Sequence, residues 1–117
     1  MDQYLHQEFK NLILNGYYNS EAAHSAIFHE DGSKENSIII GYLAIANSYI
    51  NAARSVYICN EELCRPEFND FFNEFHFLSD EVMNNISTGH SHQWSDIHFQ
   101  RFKESYELVA SLLGVVK

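Results

Sequence analysis

The sequence predicts an all-α fold: a single compact antiparallel bundle of about five helices spanning residues 1–117 as one domain. Three observations lead there. Apolar residues recur at steps of three and four along most of the chain, the spacing that gathers one face of an α-helix. The one proline, Pro66, stands where a helix can begin, and Gly16, Gly32, Gly89 and Gly114 stand where apolar runs stop. With 45% hydrophobic and 15% aromatic residues, the chain can close a core of the size that 117 residues permit.

In chain order, Asp2 caps a first helix carrying Leu5, Phe9, Leu12 and Ile13 inward, with Gly16 as its terminator. Ser20 caps a short second helix with Ala22, Ala23, Ala26 and Ile27 inward, closed by Asp31-Gly32. The third runs from about Ser37 to Asn60. There Ile38, Ile39, Tyr42, Ile45, Ala46, Tyr49, Ala53, Val56 and Tyr57 share one broad face, and Arg54 is the one charge. A helix so nearly free of charge is expected to be central and touched on more than one side. The β-branched run makes a strand over Ile38–Ile45 the competing reading, but continuation of the helical spacing to Tyr57 favours the helix.

Pro66 opens a fourth helix reaching about Ile86, with acids in its first turns. Ser95 caps a fifth, in which Phe99, Phe102, Tyr106, Val109 and Leu113 form the inward stripe and Gly114 ends it. Trp94 is expected to lie over the end of the bundle as a lid.

The fourth helix carries "EFNDFFNEFHFLSDEV", with five phenylalanines threaded through acids. Phe68, Phe71, Phe72, Phe75, Leu78, Val82, Met83 and Ile86 fill an arc of about 140°. Phe77 lies about 160° from its centre, beside Asp70, Glu74 and Glu81. Three readings satisfy that pattern, one of them a single exposed aromatic with no role; the other two give the ring a partner. Phe77 is an intermolecular anchor whose flanking acids set register, or it is second-side core beneath the N-terminal helix or the "GYYN" segment. Glu67, Glu61 and Glu62 extend the acidic face towards and beyond Pro66, and Glu30, Asp31 and Glu35 make a separate loop patch.

Seven basic against sixteen acidic residues give a formal charge of −9. That field repels phosphate backbones, which argues against direct nucleic-acid binding, and it steers a basic protein partner inward. No apolar run is long enough for a membrane span and the N-terminus lacks a secretory pattern, so the expectation is a cytoplasmic protein with no membrane association. Cys59 and Cys64 match no metal or redox spacing and are expected to be buried free thiols.

"GHSHQWSDIH" offers His90, His92 and His98, with Asp96, as a candidate divalent-metal set. No HExxH or paired-histidine spacing fixes two ligands on one helix, so the primary reading carries no metal and no cofactor. His98 at the edge of the inward stripe also suits a structural, hydrogen-bonded histidine. His6, His24, His29 and His76 stand isolated, although His76 beside Phe77 gives a contact there a route to pH sensitivity. No GxSxG, P-loop or GxGxxG is present. Glu61-Glu62 and Asp80-Glu81 are chain neighbours that do not face each other on a helix, so an enzyme is not the reading.

In size, acidity and the acidic-aromatic stripe "NDFFNEFHFLSDE", the chain resembles the small acidic immunity proteins that bacteria make against their own secreted nuclease toxins. Both the colicin type and the contact-dependent growth inhibition type belong to that comparison. "GYYN" supplies the paired tyrosines of the colicin type, Tyr17 and Tyr18, without the flanking acids and proline, so no family residue carries over. The resemblance implies a cytoplasmic inhibitor that occludes a basic toxin domain; the helical wheel, not the resemblance, offers Phe77 as its anchor and Asp70, Glu74 and Glu81 to pair with Lys or Arg. Two other classes stay open: a metal-binding helical domain, and a structural module that self-associates. Correspondingly, the chain is expected to be a monomer or a weak homo-oligomer.

Overall fold

The computed structural model describes residues 3–28, 36–89 and 91–114. Among them are four α-helices and one 3₁₀ turn, with no strand: α1 (Gln3–Ile27), α2 (Asn36–Cys59), η1 (Glu61–Leu63), α3 (Pro66–Thr88) and α4 (Gln93–Leu112). The five-helix expectation is corrected at Gly16. That glycine does not end a helix; it is buried in the middle of α1, and the two predicted N-terminal helices are one. The reason is tertiary. Gly16 faces Ile50 of α2 so closely that a β-carbon there would lie 2.5 Å from Ile50 Cγ1. Glycine lets the two helices approach, and burial against α2 outweighs its poor helix propensity. Ser20, expected as a cap, is also interior and donates to the Gly16 carbonyl at 2.9 Å. The expected stops at Asp31-Gly32 and the cap at Asp2 lie outside the described residues.

α1 packs most extensively on α2, and α3 on α4. Phe9, Phe71, Phe72, Phe75 and Phe102 are wholly buried between the pairs. Phe9 meets Phe68 edge-on at 5.1 Å, and Phe71 stacks on Phe102 at 4.9 Å. Each such ring contributes about 1.5–3 kcal/mol by burial, and each favourable ring pair about 0.5–1.5 kcal/mol more. The result is an elongated body, 45 × 23 × 21 Å. Among the described residues no helix is long and apolar enough to cross a membrane.

Four further expectations are corrected. α2 is not central: Ile39, Leu43, Ala46, Ile50 and Ala53 face the core, while Ile38, Tyr42 and Ile45 are exposed. The broad face read from the sequence is therefore used along only one edge. Ser95 is no cap but a fully buried residue in the first turn of α4. Trp94, 58% exposed, lids nothing. Cys59 and Cys64 are free thiols, as expected, but exposed ones, at the end of α2 and after η1.

Candidate functional site

α3 begins where Pro66 takes the first helical position, its missing N–H being one the helix would leave unpaired in any case. It ends at Gly89, whose φ of 73° is left-handed and whose N–H donates to the Asn85 carbonyl at 2.9 Å. Between these limits Phe68, Phe71, Phe72, Phe75, Leu78 and Val82 point into the core. Phe77 points away and is 54% exposed. Neither α1 nor the "GYYN" segment, which lies within α1, covers it.

Phe77 rides the outer crest of α3, between two grooves. On one side α3 supplies Glu67, Asp70 and Glu74, and α4 supplies Arg101, Glu104 and Leu108, around a groove of about 350 Å³. Four carboxylates there face one guanidinium. Glu67 Oε2 and Glu74 Oε2 are buried without a hydrogen-bond partner. Arg65 Nε stands 3.8 Å from Glu67 Oε2, beyond hydrogen-bond range. Buried carboxylate oxygens without donors are costly. On the other side His76, Asp80 and Met83 of α3 meet Ile40, Leu43 and Asn47 of α2 around about 270 Å³.

The acids named from the sequence separate into three sets. Asp70 and Glu74 share the outward side of α3 with Phe77, and Glu67 continues that line into the α3–α4 groove. Glu81 is half-buried and already accepts a hydrogen bond from Asn85 Nδ2 at 3.2 Å. Glu61 and Glu62 are exposed on η1. Because Phe77 lies eleven residues beyond Pro66, about 16 Å along the helix, they form a separate acidic point and do not flank the ring. The sequence reading missed Arg101, Glu104 and Leu108. Their signal was present: steps of three and four residues put them on one side of α4, away from its phenylalanines.

The histidines disperse. His92 Nδ1 lies 3.2 Å from Ser95 Oγ, which accepts from Asn85 Nδ2 at 3.1 Å. The Ser95 proton is thus available to an unprotonated His92 Nδ1. Desolvation lowers the His92 pKa below its ordinary 6.5, opposed by the charge of Glu81. Asp96 turns to α1 and accepts from His24 Nε2 at 2.8 Å. His24 also stacks on Phe99, ring centroids 4.0 Å apart, so a histidine that looked isolated joins α1 to α4. Its partner is 72 residues away, and nothing local announces the pair. His98 Nδ1 is buried without a partner, so the structure shows no hydrogen bond to that nitrogen of the expected structural histidine. Among the described residues no three His, Cys, Asp or Glu side chains gather closely enough to hold a metal ion, and His90 lies outside those residues.

Tyr17 stacks flat on Tyr106, centroids 3.8 Å apart and planes 4° from parallel. Tyr17 Oη donates to Glu21 Oε2 at 3.3 Å. Burial above all pushes both phenols well above the ordinary tyrosine range, followed at Tyr17 by the nearby Glu21 carboxylate and at Tyr106 by its hydrogen bond with Tyr18. These contacts give Tyr17 of the "GYYN" segment a packing role on the α1–α4 seam, away from Phe77, while Tyr18 is exposed.

Comparison with protein-family models, with curated proteins and with solved structures finds no match to this chain.

Proposed function

We propose that the chain is an inhibitor of the immunity type, which neutralises a basic toxin domain, a nuclease by preference, by occluding it without turnover. One observation carries the reading: a half-exposed phenylalanine, Phe77, on the same side of α3 as Asp70 and Glu74, next to a groove where four carboxylates face one guanidinium. The ring supplies apolar area at the centre of a contact. The carboxylates supply attraction and register for Lys or Arg. Carboxylates spaced along a helix also imitate the charge of a phosphate backbone, so the same surface suits the substrate groove of a nuclease. A net charge of −9 steers the encounter.

The reading places the chain in the cytoplasm and takes the helices as an antiparallel bundle. The latter is supported by cross-pairs in which later α1 residues meet earlier α4 residues: Tyr17 with Tyr106, His24 with Asp96. The test is an inhibition titration. The basic protein that copurifies with the chain from its source cells is assayed for nucleic-acid cleavage as the chain is added. Activity should vanish at one chain per partner, and Phe77→Ala should restore it at the same ratio. A partner that keeps cleaving at saturation overturns the proposal.

A further inference from the structure

α2 carries two heptad seams, and the fold uses one. Ile39, Leu43, Ala46, Ile50 and Ala53 follow one another at alternating steps of four and three residues and are buried against the rest of the chain. One position earlier, Ile38, Tyr42, Ile45, Tyr49, Ala52 and Val56 repeat the same alternation. An offset of one residue rotates this second seam by about 100°. There Ile38, Tyr42, Ile45 and Ala52 are exposed and Tyr49 and Val56 half-buried, with Ile45 47% accessible. Alternating four-and-three spacing is the pattern by which one helix lies along another, and the first seam already meets helices.

We infer that the second seam is a homodimer contact, in which α2 lies along α2 of a second copy of this chain. Charge selects that occupant. Asn36–Cys59 contains Arg54 as its one charged residue and no carboxylate. Arg54 falls about 160° around the helix from the middle of the second seam. At a net −9, two copies repel each other through their acid-bearing surfaces; through this seam they meet without opposing any like charge from α2. The contact is self-complementary, as a two-fold dimer requires. At 24 residues, α2 is about 36 Å long. Two helices in contact over that length bury on the order of 1,200 Å², the lower edge of stable interfaces, which makes the dimer concentration-dependent. The inference is independent of the α3 reading, since Phe77 and its acids stand on another helix.

Sedimentation velocity of the full chain across a concentration series tests it. The wild type should move from the 13.6 kDa of one chain towards twice that mass. Ile45→Glu, an exposed position where the monomer tolerates charge, should weaken the dimer by about tenfold or more, because dimerisation would bury an unpaired carboxylate. Ile45→Gln should weaken it less while circular dichroism shows the helices intact, and Phe77→Ala should dimerise like the wild type. A wild type of constant mass at all concentrations overturns the inference. So does a dimer that Ile45→Glu leaves intact, or one that Phe77→Ala abolishes.

Discussion

A β-carbon on Gly16 would stand 2.5 Å from Cγ1 of the wholly buried Ile50, closer than two non-bonded carbon atoms can sit. This one approach makes α1 a continuous helix and sets how deeply it docks on α2.

Gly16→Ala and Gly41→Ala should therefore have opposite signs. Both are helical, but a β-carbon on Gly41 meets nothing within 4 Å. Gly41→Ala should gain up to about 1 kcal/mol from helix propensity. Gly16→Ala should lose about 1–3 kcal/mol by overpacking, offset in part by the same propensity term. Urea denaturation of the two variants checks this, and Gly16→Ala should lose less in an Ile50→Ala background.

The Tyr17–Tyr106 stack predicts alkaline behaviour. Both phenols have folded pKa values raised above 10. Their contribution to stability is complete below the unfolded value of about 10 and is lost as pH rises from there towards the folded values. In an ultraviolet titration, two of the seven tyrosines should ionise only when the protein unfolds. Tyr106→Phe should lessen the alkaline loss.

His92 acts at the acid end, with the opposite sign. Its folded pKa lies below 6.5, so the unfolded chain binds the proton more readily. The stability it contributes is present above 6.5 and is lost as pH falls through that value and then through the folded one. Protonation also turns Nδ1 into a donor facing Ser95 Oγ, so the hydroxyl must turn away. Stability measured at pH 7.5 and again at pH 5 should fall less in His92→Asn than in the wild type.

Much of this fold could be read locally. The α3 boundaries follow from Pro66 and from Gly89, and the α4 stripe from Phe99 to Val109 is its buried face. What could not be read depends on partners distant in sequence. Gly16 has the same local appearance whether it ends a helix or admits a neighbour, and Ile50 decides between them. Two apolar seams side by side on α2 read as one broad face until the placement of α1 and α3 shows which is covered. At the candidate site, Phe77 and its acids lie on one helix and were legible by angle alone. Arg101, Glu104 and Leu108 enter through the packing of α4 on α3, and His24 reaches Asp96 only through the fold.

The most direct measurement of the central claim is the binding kinetics of the purified basic partner with wild type, Phe77→Ala and the triple variant Asp70→Asn/Glu74→Gln/Glu81→Gln, at low and physiological salt. Phe77→Ala should speed dissociation by about tenfold or more with little change in association. The amide variant should chiefly slow association, most at low salt. Wild-type rates for both variants at low salt would contradict the account, leaving α3 with no part in binding.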